Sequence, residues 1–151
     1  NGLKIHVSVV QIHFWTYLFN FFMNNVLINL LINIKNTSIA GKEFFYVPYN
    51  KLCLKMLNLL YDEGLIQSFK VIDSLSDNPR IKIVLRYNFG KSIVRNLSLI
   101  SRPSDLRYLK LKDLYKVKED KKIVVLSTSR GFLTGLNCKR FKIGGKILFT
   151  C

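Results

Sequence analysis

The stretch Ile123-Val124-Val125-Leu126-Ser127-Thr128-Ser129-Arg130-Gly131 decides how the rest of this chain is interpreted. Its β-branched apolar run predicts a strand over residues 123–126. Three hydroxyls and a guanidinium follow, and Gly131 permits a sharp turn. Short hydroxyls, Arg and exposed backbone N–H groups suit phosphate and sugar oxygens. The ordinary alternative is a Ser/Thr-rich turn without a ligand.

A second motif, Ile143-Gly144-Gly145-Lys146-Ile147, lies near the end of the chain. Its paired glycines open a second apolar run that ends the chain. Between the two motifs, residues 134–142 predict a short basic helix. Residues 147–149 predict a last strand.

The net charge is +15, from 24 Lys and Arg against 9 Asp and Glu. Residues 1–78 carry a net charge of +1 and residues 79–151 a net charge of +14. This excess indicates a polyanionic partner. Nucleic acid is favoured over an anionic membrane surface, because the basic residues are spread over strand-like and loop segments instead of one amphipathic helix.

Residues 104–122 are densely basic, with Tyr108 and Tyr115 among the lysines. The lysines outnumber the neighbouring acids, which favours phosphate contacts over an ordinary solvated face. The lysines concerned are Lys110, Lys112, Lys116, Lys118, Lys121 and Lys122.

Nothing in the sequence predicts a catalytic centre, a metal site, a cofactor or a small-molecule substrate. The three cysteines (Cys53, Cys138 and Cys151) are scattered and form no C-x-x-C pair. They therefore indicate neither a zinc site nor a disulfide framework, and Cys53 is expected in the core. Both histidines lie before residue 14, and no carboxylates pair at strand ends, so we expect that the protein is not an enzyme.

Residues 14–34 are apolar and long enough to suggest a membrane span. Five asparagines interrupt them at spacings that place a polar stripe on a helix: Asn20, Asn24, Asn25, Asn29 and Asn33. Because amides are costly in lipid, an amphipathic helix buried in a large assembly is favoured. The alternative function is a membrane-associated protein with an apolar N-terminal anchor and a basic surface-binding domain.

The middle of the chain has an α+β order. Residues 35–42 read as a polar turn, residues 44–47 as a strand ended by Pro48, and Asn50 as the cap of a helix that stops at Gly64. Strands are predicted over residues 65–72, from residue 81 and over residues 93–100, with a turn at residues 88–91. Ile81, Ile83, Leu85 and Tyr87 are expected to share one strand face.

The amino-acid usage carries a further indication. Ile, Leu, Phe, Asn, Lys and Tyr are abundant, whereas Ala40 is the only alanine. Since Ala is the best helix former, physical chemistry does not require this scarcity. An A+T-rich coding sequence would produce it, which suggests an organellar or similarly biased genome.

In this order the motifs resemble the universal small-subunit ribosomal protein S-eight family over residues 25–151. The best match runs from Ile123 to Phe149. Weaker matches are Ser101-Arg102-Pro103 before Tyr108, residues 57–70, residues 34–36, and Pro48 with Lys51. The resemblance implies two small α+β subdomains, residues 25–98 and 99–151, after an N-terminal extension of residues 1–24.

The resemblance also implies a non-enzymatic structural protein that binds the central domain of small-subunit rRNA and supports assembly and translation. Neighbouring small-subunit proteins are its other partners. We expect the protein to be located in the mitochondrion, as part of the small subunit of the mitochondrial ribosome, with a plastid-type organelle as the second choice. The expected RNA-binding residues are Ser127, Thr128, Ser129, Arg130, Gly131, Gly144, Gly145, Lys146, Arg102, Lys110, Lys112, Lys35, Asn36 and Lys51.

The chain departs from the family pattern at several positions. Lys146 stands where the family usually has a carboxylate, and Asp120-Lys121-Lys122 replaces a glycine-rich turn. Ser104-Asp105 replaces a glycine that commonly follows Ser-Arg-Pro. These changes leave the expected fold intact and alter individual RNA contacts.

Overall fold

A computed structural model describes residues 25–72, 78–101, 107–116 and 122–151 of the chain. Four α-helices, ten short or medium strands and one 3₁₀ turn occur in these ranges. Helices and antiparallel sheets are mixed along the chain, which confirms the predicted α+β class.

The first helix (α1) covers residues 25–39 in the described part of the chain. Its inward face is apolar and buried, with Leu27, Leu30, Leu31 and Ile34 at helical spacing. Asn29 and Asn33 are exposed on the opposite side, as the predicted polar stripe requires. The asparagines before residue 25 lie outside the described residues.

The polar turn predicted over residues 35–42 is wrong for its first half, because α1 continues through residue 39. Ser38 lies one turn beyond Ile34 on the same buried side, so the inward face extends past the last large apolar residue. The turn follows at Gly41, whose φ of +69° is left-handed. Lys35 and Asn36 therefore lie on a helix and not in a connection.

A second helix (α2, Lys51–Asp62) follows the strand β1 (Phe44–Pro48). The Asn50 side chain caps it by accepting a hydrogen bond of 2.9 Å from the Leu52 backbone N–H. Gly64, with a φ of +69°, ends it, and the Leu65 N–H donates to the Leu60 carbonyl at 2.9 Å. Both ends were predicted from the sequence and are confirmed.

Two longer strands, β2 (Ile66–Ile72) and β3 (Arg80–Leu85), complete a three-stranded antiparallel sheet in the order β1-β3-β2. Ile81, Ile83 and Leu85 are buried on the face toward the helices, as their alternation predicts. The opposite face of this sheet stays accessible and is described below.

The strand predicted over residues 93–100 is wrong for residues 93–97 and confirmed only at Ser98–Leu99. A tight hairpin of β4 (Tyr87–Asn88) and β5 (Lys91–Ser92) leads into a 3₁₀ turn at Ile93–Asn96, and only Ser98–Leu99 forms a strand (β6). Val94 and Leu97 are both fully buried three residues apart, whereas Arg95 is exposed. In a strand, Arg95 would lie on the same face as Leu97 and would be buried with it. The three-residue spacing of a 3₁₀ turn instead buries Val94 and Leu97 and leaves Arg95 in solvent.

The rest of the chain surrounds the last strand, β10 (Gly145–Thr150). One edge of β10 pairs with β8 (Val124–Thr128), which pairs in turn with β9 (Gly131–Thr134). The other edge pairs with β6 at one end and with β7 (Tyr108–Leu109) at the other. Helices α3 (Leu111–Lys116) and α4 (Gly135–Phe141) pack beside this sheet, and α4 confirms the predicted basic helix.

The larger apolar cluster joins residues from both parts of the chain. Val125, Leu148 and Phe149 belong to the same cluster as the buried residues of α1, α2 and β3. Cys53 lies in it, as predicted. A smaller cluster under α3 and α4 contains Leu114, Leu126 and Cys138. The boundary between residues 98 and 99 stays a prediction.

No helix in the described ranges is both long and apolar enough to cross a membrane.

Candidate nucleic-acid interface

The two glycine-containing motifs meet at one end of the C-terminal sheet. Lys146 on β10 is paired with Ser127 on β8 and with Tyr108 on β7, so the three strands lie side by side at this point. A shallow groove of about 550 Å³ opens over them. Its walls are Tyr108, Leu109, Lys110, Leu111, Ser127, Thr128, Ser129, Gly144, Gly145 and Lys146; we call this the C-terminal groove.

The paired glycines let the strands approach closely at the floor of the groove. A Cβ atom on Gly145 would lie 2.6 Å from the Ser127 carbonyl oxygen, and one on Gly144 would lie 2.8 Å from the Leu109 carbonyl oxygen. Both distances are too short for a carbon–oxygen contact, and both partners are backbone atoms. The close packing of the neighbouring strands therefore requires glycine at both positions.

The turn after β8 is held by the Thr128 hydroxyl. It donates a hydrogen bond of 2.9 Å to the Gly131 carbonyl and accepts one of 3.2 Å from the Arg130 N–H. Gly131 has a φ of +106°, which a residue with a side chain rarely adopts. Thr128 therefore shapes the turn, and its hydroxyl is already engaged in both directions.

The two flanking hydroxyls differ from that of Thr128. Among the described residues, the side chains of Ser127 and Ser129 have no hydrogen-bond partner. Ser127 is half-buried and Ser129 is exposed, and both line the groove. A hydroxyl both donates and accepts, so these two side chains can contact phosphate or ribose oxygens.

Lys146 is half-buried in the floor of the groove. Burial lowers the pKa of the Lys146 ammonium, because desolvation disfavours the charged form. A phosphate oxygen next to it would act in the opposite direction and favour the charged form. Lys146 thus places a partly desolvated cation between Ser127 and Tyr108.

Tyr108 and Lys110 form the outer wall of the groove. Tyr108 is 69% exposed, and Lys110 is exposed next to it. Tyr108 was not among the predicted RNA-binding residues, although an aromatic residue within a basic run was the signal that could have identified it. An exposed ring beside cations can stack on a base or on ribose.

The predicted site residues do not all lie in the groove. The Arg130 guanidinium lies 5.2 Å from the centre of the Phe141 ring on α4, outside the groove walls. Lys112 is exposed on α3. Lys35 and Asn36 lie on α1 and Lys51 begins α2, so none of these three lines the groove. Arg102 lies outside the described residues.

In the described ranges, His, Cys, Asp and Glu side chains form no group of three that could hold a metal ion. Burial raises the pKa values of the thiols of Cys53 and Cys151, which favours their neutral form. The C-terminal groove itself presents hydroxyl groups, the cations Lys110 and Lys146, and the ring of Tyr108.

The chain is similar to known proteins over most of its length. A family model described as "Ribosomal protein S8" matches residues 25–151. A "Small ribosomal subunit protein uS8" of Baumannia cicadellinicola subsp. Homalodisca coagulata is 32% identical over 126 residues, which cover 83% of this chain and 96% of the relative. One of Buchnera aphidicola subsp. Cinara cedri is 32% identical, with 83% and 95% covered. One of Ruegeria pomeroyi is 29% identical, with 85% and 98% covered.

The span matched by the family model includes both motifs of the C-terminal groove, the capped helix α2 and the last strand. The family model spans well over half of the chain, and the bacterial relatives are covered almost completely. This chain belongs to the ribosomal protein S8 family.

Proposed function

We propose that this protein is a structural, non-enzymatic component of a small ribosomal subunit that binds rRNA through the C-terminal groove. The observation that carries this proposal is the meeting of Ser127, Ser129 and Lys146 in one groove that lies in the strongly basic part of the chain. The names of the relatives, each a small ribosomal subunit protein, support the assembly that is proposed.

The groove is suited to a folded RNA surface more than to a free small anion. It is shallow and open, and its donors are spread over three strands instead of converging on one point. RNA helices are recognised largely through shape, phosphates and 2′-hydroxyls, for which paired serine hydroxyls provide both donors and acceptors. By resemblance to the family, the RNA is the central domain of small-subunit rRNA.

Exposed cations of the C-terminal half, of which Lys110 lines the groove, would supply most of the affinity. Lys110, Lys122, Arg140 and Lys142 are exposed in the described part of the C-terminal half. Each phosphate contact releases condensed counterions, so binding would weaken steeply as salt rises. The cations would thus determine the affinity, and the hydroxyl groups of the groove would determine the position of the protein along the RNA.

The ribosome is proposed to be organellar and mitochondrial. Support comes from the amino-acid usage, with one alanine in 151 residues and many residues that A+T-rich codons encode. Sedimentation of lysates on density gradients tests the assembly: the protein should migrate with mitochondrial small subunits. Recovery in carbonate-resistant membrane pellets would contradict it and favour an anchored membrane protein.

The role of the groove is tested by Ser129→Ala. Removal of one hydrogen bond to the RNA should weaken binding of a central-domain rRNA fragment by about 1 kcal/mol, or about fivefold, in a filter-binding titration. Ser98→Ala is the matched control, because Ser98 is an exposed serine on β6 paired with Thr150 at the far end of β10. Equal affinities of wild type and Ser129→Ala would contradict the role of this hydroxyl.

A further inference from the structure

We infer that the outward face of the three-stranded sheet β1-β3-β2 is a second RNA-binding surface, which stacks on unpaired nucleotides. We call it the sheet face. Its members are the outward-pointing residues of the three strands: Phe44, Tyr46, Pro48, Ser68, Lys70, Ile72, Arg80, Lys82 and Val84. The inference rests on the proposed function in taking RNA as the ligand, but it uses no residue of the C-terminal groove.

The strand register places these residues in rows across the sheet. Tyr46 is paired with Lys82, and Lys82 is paired in turn with Lys70. Neighbouring strands lie about 4.8 Å apart, so the backbone positions of this row span roughly 10 Å. An aromatic residue and two cations thus stand side by side on one surface.

The aromatic side chains of the sheet face are open to solvent. Phe44 is 45% exposed and Tyr46 is 49% exposed, although the same strand buries Val47 on its other face. Exposed rings that lie next to each other and are rimmed by cations are typical of an interaction site, whereas single exposed apolar side chains are not. Phe44 and Tyr46 meet edge to face, with ring centres 5.8 Å apart.

Lys82 fixes the arrangement of the rings. Its ammonium nitrogen lies 4.3 Å from the centre of the Phe44 ring, a distance at which the cation is attracted to the ring face. One face of Phe44 is therefore already occupied, and Phe44 supports Tyr46 through the edge-to-face contact. Tyr46 is the ring available for a base, with a cation held beside it for the adjoining phosphate.

The charge of the sheet face is complementary to RNA. Lys70, Arg80 and Lys82 contribute three cations, and none of the three strands contains Asp or Glu. An exposed aromatic ring with adjacent cations is the arrangement with which sheets bind single-stranded nucleic acid. In a duplex the base faces are already stacked on one another, so the exposed rings of the sheet face cannot stack on them. An acidic protein partner would use the cations but would not require a stacked ring.

Fluorescence anisotropy with a labelled single-stranded oligoadenylate of ten nucleotides tests this inference. The variant Phe44→Leu/Tyr46→Leu keeps apolar side chains on the strand and removes the rings. We expect it to bind the oligoadenylate about tenfold or more weakly than the wild-type protein, the loss typical of one stacked base. Circular dichroism and thermal unfolding show whether the variant is folded.

Two matched controls separate stacking from general effects. Phe89→Leu removes a ring that is 99% exposed in the β4–β5 turn, and it should leave the affinity unchanged. Lys55→Gln removes an exposed cation on α2, whereas Lys82→Gln removes the one that holds Phe44. Lys82→Gln should weaken binding several-fold more than Lys55→Gln.

The experiments distinguish RNA binding by the sheet face from RNA binding by the C-terminal groove. Ser129→Ala should not change oligoadenylate binding, and Phe44→Leu/Tyr46→Leu should bind the structured rRNA fragment through the groove. Equal oligoadenylate affinities for the wild type and the double variant would overturn the inference. Equal binding of single strand and duplex would do the same. Loss of incorporation into the small subunit with unchanged oligoadenylate binding would identify a protein partner instead.

Discussion

The C-terminal groove and the sheet face both present hydrogen-bonding or aromatic groups beside cations, but they are built in different ways. The floor of the groove is backbone packed on backbone, with the Gly145 Cα position facing the Ser127 carbonyl. The sheet face consists of side chains on an ordinary pleat, such as Tyr46 and Lys82. The groove thus depends on main-chain geometry, whereas the sheet face depends on side-chain identity.

This difference determines how each surface tolerates substitution. A side chain on the sheet face can change without moving a strand, because Phe44 and Tyr46 are both about half exposed. An added atom in the floor of the groove must displace β8 from β10. Function and stability are consequently separable on the sheet face and coupled at Gly144 and Gly145 in the floor of the groove.

The largest expected effect is that of Gly145→Ala on stability. The new methyl group would meet the Ser127 carbonyl at 2.6 Å and Thr128 Cγ2 at 2.9 Å, so the β8–β10 pairing must shift. We expect a decrease of about 2–3 kcal/mol in the free energy of unfolding, which urea denaturation measures. Binding of the central-domain rRNA fragment should weaken as well.

Tyr46→Leu is the comparison for this variant. It should change the free energy of unfolding by less than about 1 kcal/mol, the size of a cross-strand side-chain pair. Similar destabilisation of the two variants would show that the groove and the sheet face do not differ in construction.

A smaller effect is expected from Thr128→Ala. This variant loses the hydroxyl that bonds to both Gly131 and Arg130, and the free energy of unfolding should fall by about 1 kcal/mol. Thr128→Ser keeps the hydroxyl and should restore most of the stability in the same urea titration. Failure of the serine variant to do so would assign the effect to the lost methyl group and not to the turn.

The smallest expected effect concerns the salt dependence of RNA binding. Lys110→Gln removes an exposed cation from the wall of the groove, so the slope of log K against log salt should become shallower by about 0.9. Lys55→Gln on α2 is the control and should leave the slope for the central-domain fragment unchanged. A changed choice between RNA fragments in Lys110→Gln would contradict a purely electrostatic role for this lysine.

Much of the local structure could be predicted from the sequence, because its causes are local. Asn50 begins α2 and Gly64 ends it through contacts within a few residues. The alternation of Ile81, Ile83 and Leu85 predicted a strand with one buried face, and the structure confirms it. Family membership likewise followed from the order of the motifs.

The local structure differs from the sequence-based expectation in the two places where contacts with distant parts of the chain determine it. Residues 93–96 have a strand-like composition but form a 3₁₀ turn, because Val94 and Leu97 both enter the large core. The end of α1 was placed too early, because Ser38 is polar and its burial depends on the neighbouring elements. Neither packing partner is visible in a window of a few residues.

The same distinction applies to the two surfaces. Composition and short motifs are local properties, so the sequence alone shows three hydroxyls, an Arg and a pair of glycines in a basic half of the chain. The different roles of the hydroxyls depend on the fold, in which Thr128 holds its own turn while Ser127 and Ser129 line the groove. Only the strand register placed Tyr46, Lys82 and Lys70 in one row. Pairing of β10 with both β7 and β8 joins residues far apart in the chain, and burial of the shared core stabilises that pairing.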